Sequence, residues 1–317
     1  MTQATGEILR RSFPISPPMK SASTRYSLGF FSLSLVFSLA LRGQTAAPAA
    51  AVPVIPDAPA AKLGSKVWAW ENFVVKPKAG GGATRDVVNL PTATMARFES
   101  HITTILPGQM SHLPHKHAQE EFIILKEGTL DASLNGKITH APTGSILFFA
   151  SNDMHNVTNV GDTPATYWVF NITTGLTKSA PAEGATAAAA PGKLVSTVFD
   201  WDKLKVEPKP TGARREIVNS PTNTIGSWEG HVTTLKPGES PHAAHRHPDE
   251  ELIVVKEGLM EATINGVAQR GGPGSIFFYG SNDLHGMKNV GTTDATYYVF
   301  RTITDATPKE TAPAKVE

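Results

Sequence analysis

The chain contains no cysteine among its 317 residues. Disulfide bonds and thiolate metal sites are therefore excluded, and any bound metal must use nitrogen and oxygen ligands. The formal net charge is only +1, and the body of the chain has no block of basic residues. Nucleic acid is thus not an expected partner, because binding to phosphates needs a concentrated positive surface.

Several catalytic motifs are missing as well. The sequence has no Gly-x-Ser-x-Gly turn of the kind that exposes a nucleophilic serine. The glycine-rich stretch 271–274 lacks a following lysine and a strand-to-helix context, so we interpret it as a turn and not as a phosphate loop. No hydrophobic period of helical type extends beyond a turn or two, which argues against a helical fold.

One long apolar run is present, at residues 30–41. Small residues follow it at 43–50, and basic residues precede it at Arg10, Arg11, Lys20 and Arg25. This order is typical of a secretory signal, and the run is too short to span a bilayer comfortably. We predict a signal peptide over residues 1–46 and an exported bacterial protein, periplasmic or extracellular, with no stable membrane span after cleavage.

Three alternatives stay open for this segment. Met19, followed by Lys20, would give a shorter and more typical start. The Arg10-Arg11 pair is compatible with twin-arginine export instead of the general secretory route. The apolar run is also compatible with an uncleaved anchor.

Stretches rich in alanine and proline divide the rest of the chain. Residues 47–62 and 177–192, and the tail 305–317, have compositions that bury too little apolar surface to offset chain entropy. We predict that they are two linkers and a disordered tail. Two bodies remain, at residues 63–176 and 193–304.

These two bodies are internal repeats. Residues 101–108 match 231–238, and residues 159–170 match 289–300, at the same offset of 130 positions. Both repeats contain short β-branched and aromatic runs, and Asn135-Gly136 and Asn265-Gly266 are typical of tight hairpin turns. Each repeat is therefore predicted to be all-β, as a sandwich or barrel.

A histidine motif in the first repeat combines ligand types that suit a divalent transition metal. In His115-x-His117-x3-Glu121, the three residues share one parity, so in a strand their side chains project from the same face. A fourth candidate ligand, His155, lies four positions before Asn159. The pattern therefore predicts a site of three imidazoles and one carboxylate.

The same pattern occurs in register in the second repeat. The eight predicted metal ligands are His115, His117, Glu121, His155, His245, His247, Glu251 and His285. A single His-x-His pair is a weak signal, since on a strand it can equally be solvated or satisfied in a core. Four candidate ligands in register, twice, indicate two metal sites.

This arrangement resembles the two sequence motifs of the cupin family. The matching residues of the first repeat are Gly108, His115, His117, Glu121, Gly128, Gly136, Pro142, Gly144, His155 and Asn159. The second repeat matches equally, except that Pro273 is displaced by one position and Gly272 stands where the first repeat has Pro142. The resemblance covers residues 63–304 and implies a bicupin, with two tandem jelly-roll β-barrels.

The resemblance also implies a function. Cupins of this kind hold a metal through three His and one Glu at the barrel mouth, with one or two coordination positions left for a substrate. Mn or Fe is the expected cofactor, with Zn, Ni and Cu as alternatives that such ligands accept. The expected partner is a small-molecule substrate, and a homo-oligomer is compatible with the family.

Bicupins of similar layout include quercetinase-type dioxygenases, oxalate-decarboxylase-like enzymes and ureidoglycine aminohydrolases. We favour an oxidoreductase of the dioxygenase type that acts on a small oxygen-bearing substrate. The alternatives are a non-catalytic protein that binds a metal or small ligand, and a metal-dependent decarboxylase or isomerase.

Other shared residues have two interpretations each. His101, His112, His231 and His242 are candidates for acid–base catalysis, although we favour the alternative that they belong to the scaffold.

Arg85 and Arg215 either bind a substrate carboxylate or form ion pairs between the barrels. Glu120 and Glu250 have the opposite parity to the ligand glutamates, which predicts that they are solvated. Ile123 and Leu125 share the parity of the ligand Glu121, so they are expected beneath the first metal.

Overall fold

The computed structural model describes residues 61–177 and 191–309. The predicted signal peptide at 1–46, nearly all of both predicted linkers and the end of the predicted tail lie outside these residues. None of the helices in the two described ranges has the length and hydrophobicity that a bilayer span requires.

Both ranges are built from short strands. The first repeat forms β1 (Lys66–Trp68), β2 (Lys76–Pro77), β3 (Ala83–Leu90), β4 (Arg97–Ile105), β5 (Glu120–Glu127), β6 (Leu130–Leu134), β7 (Lys137–Ala141), β8 (Ile146–Phe149), β9 (His155–Asn159) and β10 (Ala165–Thr173). The second repeat forms β11 (Thr197–Phe199), β12 (Glu207–Lys209), β13 (Gly212–Ser220), β14 (Ser227–Leu235), β15 (Glu250–Glu257), β16 (Met260–Ile264), β17 (Val267–Gly271), β18 (Ile276–Tyr279), β19 (His285–Asn289) and β20 (Ala295–Ile303). Single 3-10 turns follow β1 at Trp70–Asn72 and β11 at Trp201–Lys203.

Each barrel combines a seven-stranded sheet with a three-stranded sheet. The first barrel has the orders β11-β8-β5-β10-β4-β3-β2 and β7-β6-β9, and the second has β1-β18-β15-β20-β14-β13-β12 and β17-β16-β19. Neighbouring strands pair antiparallel, as in the match of β5 with β10. The predicted fold class of two tandem jelly-roll barrels is confirmed.

The predicted hairpin turns close the small sheets. Asn135 and Gly136 join β6 to β7 with φ of 49° and 84°, and Asn265 and Gly266 join β16 to β17 with φ of 47° and 86°. A two-residue hairpin with positive φ at both central positions matches the twist of the paired strands, and Asn followed by Gly tolerates it best. These turns set the register of the two small sheets, one of which carries β9 and the other β19.

The repeats exchange their first strands. Strand β1 of the first repeat pairs with β18 of the second, with Lys66 opposite Phe278. Strand β11 of the second repeat pairs with β8 of the first, with Thr197 opposite Phe148. Each seven-stranded sheet is therefore completed by a strand from the other repeat, which protects an edge that would otherwise be unpaired.

Strand β5 is buried on both faces, because the second barrel covers its outer side. Ile123 and Leu125 belong to the core inside the first barrel, as their parity predicts. Phe122 and Ile124, on the other face, pack in a cluster that includes Trp228 of the second repeat. We call this cluster the barrel interface; its largest members are Phe98, Phe122, Phe148, Trp168, Phe170, Trp228, Phe278, Tyr298 and Phe300.

The prediction that Glu120 and Glu250 are solvated is wrong, since each is only 1% exposed. The Glu120 carboxylate accepts hydrogen bonds from the Thr222 hydroxyl, the Thr224 hydroxyl and the Asn223 backbone N–H. Glu250 accepts the equivalent bonds from Thr92, Ala93 and Thr94. Opposite parity places these side chains outside their own barrel, but that side faces the other repeat and not the solvent.

Arg85 and Arg215 fill neither of the roles expected for them. The Arg85 guanidinium lies over the Trp70 ring, 4.9 Å from its centroid, and Arg215 lies over Trp201 at 4.5 Å. These are cation–π contacts that hold the exchanged segments. Neither arginine lines a barrel cavity.

Candidate metal centres

The three histidine ligand candidates of the first barrel lie where two chain segments meet. His115 and His117 precede strand β5, which begins only at Glu120, so the single strand predicted for the motif is shorter than expected. An isolated antiparallel bridge joins His115 to His155 at the start of β9, with backbone N–H to O distances of 3.1 and 2.9 Å. The bridge places both rings at the same end of the barrel.

In the first barrel, one nitrogen atom from each of His115, His117 and His155 lies within 4.8 Å of the other two. Glu121 completes the set, with Oε2 3.4 Å from Nε2 of His117 and Oε1 4.0 Å from Nε2 of His155. The four side chains that the sequence predicts as ligands therefore meet around one point inside the barrel.

The second barrel reproduces this geometry. His245, His247 and His285 offer nitrogen atoms that also lie within 4.8 Å of one another. Oε2 of Glu251 lies 3.3 Å from Nε2 of His247. An isolated bridge joins His245 to His285, as in the first barrel.

Backbone carbonyls fix the orientation of the rings. Nδ1 of His155 donates to the carbonyl of Asp153 at 2.9 Å, and Nδ1 of His117 donates to the carbonyl of Gln119 at 3.0 Å. A proton on Nδ1 leaves the electron pair on Nε2, which is the tautomer that a metal-binding imidazole needs. Among the described residues, Nε2 of His155 is buried and has no hydrogen-bond partner, so it fits a cation.

The second barrel shows the same fit. Nδ1 of His285 donates to the carbonyl of Asp283 at 2.9 Å, and its Nε2 is buried without a partner. Nδ1 of His247 donates to the carbonyl of Asp249 at 2.8 Å. Three imidazole nitrogens and a carboxylate suit a divalent transition metal, so the donor set in each barrel fits such an ion.

The electrostatic setting of the first barrel favours the ligating forms of His115 and Glu121. It does not favour that of His117, because burial lowers the pKa of His117 but the hydrogen bond to Glu121 and its charge raise it more. Burial, together with the imidazoles of His112 and His155, lowers the pKa of His115 to about 4. Burial raises the pKa of Glu121, but the hydrogen bond to His117 and the nearby imidazoles lower it further, and the net shift is downward. The site thus holds a neutral ring beside an ionised carboxylate at neutral pH.

A cavity opens beside each ligand set. The cavity of the first barrel has a volume of about 300 Å³ and that of the second about 590 Å³. The histidines proposed for acid–base roles all line these cavities, with His101 and His112 in the first and His231 and His242 in the second. The rings of His112 and His115 meet edge to face at 4.0 Å, and Nδ1 of His101 lies 2.8 Å from Oε1 of Glu99.

The two centres differ in the residues around the ligands. In the second barrel, Oδ1 of Asp249 lies 3.3 Å from Nδ1 of His247, and Arg301 donates to Asp249 at 2.7 and 2.9 Å. The first barrel has the uncharged Gln119 and Asn171 at these positions.

These charges change the protonation of the ligand set. Burial lowers the pKa of His247, but the carboxylates of Asp249 and Glu251 raise it, to about 9 overall. His247 therefore carries a proton at neutral pH in the metal-free chain.

Two more differences lie inside the cavities. Arg214 and Tyr279 line the second cavity, and the matching residues Thr84 and Phe149 line the first. Sequence reasoning missed these residues, because it searched for what the repeats share. The positions where the repeats differ carry the missing signal.

Comparison with known proteins supports the resemblance to the cupin family. A family model for the cupin domain matches residues 101–171 and 231–301. No curated protein matches the chain.

Similar solved structures include oxalate decarboxylase from Bacillus subtilis, with 14% identity, a TM-score of 0.58 and coverage of 77% of this chain and 78% of that chain. They also include Ylba from E. coli, with 13% identity, a TM-score of 0.57 and coverage of 80% and 97%. AerE from Microcystis aeruginosa is similar at 15% identity, with a TM-score of 0.54 and coverage of 73% and 98%.

The TM-scores of these matches show a shared fold. Two matches to the cupin domain model, one in each barrel, identify the family. The chain is a bicupin of the cupin superfamily.

Proposed function

We propose that this bicupin is a metal-dependent oxidoreductase of the dioxygenase type that acts on a small oxygen-bearing organic molecule. The observation that carries the proposal is that a set of three His and one Glu lies beside a cavity in each barrel. All four residues line the first cavity, and His245, Glu251 and His285 line the second. A bound divalent ion would supply Lewis-acid or redox chemistry at the coordination positions that these four residues leave open. Mn is supported by a similar solved structure, oxalate decarboxylase from Bacillus subtilis, which is described with Mn(II) centres.

The size and lining of the second cavity favour a substrate with an apolar body. Ile253, Met287, Tyr297 and Val299 form part of its wall, and cavities of about 300–1,000 Å³ are the usual size for ligands larger than a few atoms. A two-carbon acid would occupy only a small part of it. We therefore place dioxygenation of an aromatic or enolic molecule ahead of decarboxylation of a small diacid.

The residues of the chain perform the other tasks that such a reaction needs. Ile253, Tyr297 and Val299 form an apolar part of the wall beside the ligand set, and apolar surroundings strengthen electrostatic interactions. The backbone carbonyls at Asp153 and Asp283 hold the rings of His155 and His285 in place. His231 and His242 line the cavity and are the candidates for accepting or returning a proton.

A decarboxylase is the second candidate, and the similar solved structures of oxalate decarboxylase favour it. The two reactions differ in the gas that they consume or release. A dioxygenase inserts both atoms of O2 into its substrate and needs no external reductant. A decarboxylase releases CO2 from a carboxylate.

The test measures both gases with chelator-treated protein reloaded with Mn²⁺ or Fe²⁺. Catechols, flavonols and dicarboxylates are supplied, and the His115→Ala/His245→Ala double variant is the control. O2 uptake with both ¹⁸O atoms in one product, lost in the double variant, supports the dioxygenase. CO2 release without O2 uptake supports the decarboxylase, and metal binding without either reaction would leave a non-catalytic binding protein.

We also propose that the protein is exported. The order of basic, apolar and small residues in the first 50 positions supports this. Fractionation of a bacterial host and N-terminal sequencing of the product test it. Cleavage near residue 46 is expected, and an uncleaved cytoplasmic product would contradict the proposal.

A further inference from the structure

We infer that the second barrel is the one that binds the organic substrate, and that this substrate is an acid with an apolar body. The inference rests on the proposed function, since it names the substrate class and the barrel for that same site. Three residues carry it, Arg214, Tyr279 and Arg301, and all three line the second cavity. The first repeat has Thr84, Phe149 and Asn171 in their places.

The hydroxyl of Tyr279 is a buried polar group without a partner. The side chain is 1% exposed, and Oη has no hydrogen bond within the described residues. A buried hydroxyl in that state costs free energy, because it has lost its water partners and gained no replacement. A ligand oxygen would remove that cost.

Tyr279 also lies on the same side of the sheet as the metal ligands. It stands opposite Glu251 in the pairing of β15 with β18. Its ring stacks on the His285 ring, with centroids 4.3 Å apart and planes 13° apart. In the first barrel, Phe149 stacks on His155 in the same way but carries no hydroxyl. The hydroxyl is thus an addition at the metal-proximal end of the second cavity.

The two arginines are held by carboxylates. Arg301 uses Nε and Nη2 for Asp249, and Arg214 uses Nε and Nη2 for Glu216 and Nη2 for Glu229. These pairs fix the guanidinium planes and cancel part of their charge.

Each arginine still has one NH2 group that is not used in these hydrogen bonds. Within the part of the chain that the structure describes, Nη1 of Arg214 and Nη1 of Arg301 donate no hydrogen bond, although Nη1 of Arg301 lies 3.6 Å from Glu229. Both side chains are about one-third exposed. These two NH2 groups, of which that of Arg301 is in an ion pair with Glu229, are donors of the type that binds a carboxylate.

The charge around the cavities agrees with this difference. Three basic and two acidic side chains line the second cavity, whereas two of each line the first. The remaining wall of the second cavity includes Ile253, Met287 and Val299. A molecule with a carboxylate at one end and a ring or short chain at the other matches both parts.

The test uses full-length protein loaded with Zn²⁺, which is redox-silent, and two probes of one shape, 4-fluorobenzoate and 4-fluorobenzamide. Fluorine NMR and calorimetry give the affinity and the number of sites. One equivalent of the benzoate is expected per chain, with an affinity at least about tenfold above that of the amide, because hydrogen bonds to charged groups are the stronger kind.

Three variants locate the site. Arg214→Thr and Tyr279→Phe each introduce the first-repeat residue, and each is expected to weaken benzoate binding about fivefold to tenfold. Arg97→Ser is the matched control, because it introduces the second-repeat residue into the first cavity and is expected to leave the affinity unchanged. A melting curve for each variant shows that it is folded.

Several results would overturn the inference. They are equal affinity for both probes, no binding of either probe, or loss of benzoate binding in Arg97→Ser instead of Arg214→Thr. Zn²⁺ content is measured separately. A failure of the probes with two Zn²⁺ bound would reject only the inference, whereas a chain that binds no metal would reject the proposed function.

Discussion

The hydroxyl of Thr222, in the second repeat, donates a hydrogen bond to the buried carboxylate of Glu120 in the first. The Thr224 hydroxyl and the backbone N–H groups of Asn223 and Thr224 donate to the same carboxylate. Removing it would leave these donors buried without an acceptor. Glu120→Ala is expected to lower the free energy of unfolding by about 2–4 kcal/mol, measured by urea denaturation.

Glu120→Gln should cost less, because an amide oxygen still accepts from the two N–H groups. Glu250→Ala, at the equivalent position, should match Glu120→Ala. The exposed Glu127 is the control, and its change to Ala should stay within about 0.5 kcal/mol. A loss for Glu120→Ala no larger than that of the control would contradict the contact.

Gly274 lies directly under the Trp70 ring. Its φ is +97°, and a Cβ there would lie 2.4 Å from Cε3 of Trp70. Gly274→Ala is expected to cost about 2–4 kcal/mol, from a strained backbone and a displaced ring together. Thermal unfolding followed by tryptophan fluorescence measures the loss.

Gly272→Ala is the control in the same turn, because a Cβ at Gly272 would meet nothing within 4 Å. It should leave the melting temperature nearly unchanged. Equal effects of the two substitutions would show that the turn, and not the Trp70 contact, accounts for the loss.

Asp249 contacts the His247 ring on the side opposite to the proposed metal. A carboxylate in that position orients the ring and increases its electron donation, and losing such a partner typically costs 10–100-fold in metal affinity. Asp249→Asn should weaken one of two Mn²⁺ sites by about that factor and leave the other unchanged. Titration of metal-free protein, followed by EPR of free Mn²⁺, measures both.

Gln119→Ala is the matched change in the first barrel. There Nδ1 of His117 bonds to the backbone carbonyl of Gln119, which the substitution keeps, so the metal affinity of the first site should stay within about twofold of the original. A loss at both sites in Asp249→Asn would point to a general structural effect instead.

Glu229 stabilises the fold only when it is ionised. The His231 imidazole, and also Arg301 and Arg214, hold its pKa below the ordinary value of 4.5. A lowered acid pKa stabilises the folded state fully above pH 4.5, and the contribution disappears as the pH falls through the folded value. Glu229→Gln should therefore be less stable than the original chain at pH 7, by about 1 kcal/mol, and the difference should vanish toward pH 3.

Melting curves across this pH range give the comparison. Glu99→Gln tests the equivalent carboxylate, whose pKa is raised by burial but lowered more by His101 and Asn171, with a downward net shift. A stability difference for Glu229→Gln that grows on acidification would have the wrong sign and would contradict the assignment.

Patterns that depend on local chemistry were predictable from the sequence. The hairpins at Asn135-Gly136 and Asn265-Gly266 follow from turn geometry. The convergence of His115, His117, Glu121 and His155 follows from the cupin resemblance. Strand parity gave the same residues, although β5 begins only at Glu120 and does not contain His115 and His117. Both are properties of a single repeat.

What the sequence did not reveal depends on contacts between repeats. Parity places Glu120 on the outer face of β5, but it does not say that Thr222 and Thr224 cover that face. The same limit applies to Phe148, because its position next to Phe149 places it outside the first barrel but does not reveal that it packs in the barrel interface. The exchange of β1 and β11 likewise could not be predicted from the 130-residue repeat. The sequence would have the same strands whether each first strand paired within its own repeat or with the other one.

That exchange has a consequence for a half-length polypeptide. One repeat alone carries a strand to donate, β1, and a vacant edge to receive one, β8, so it is self-complementary. Two identical copies could rebuild the assembly as a homodimer with true twofold symmetry. Joining them in one chain fixes the stoichiometry and frees each half to diverge, as Gln119 and Asp249 already have.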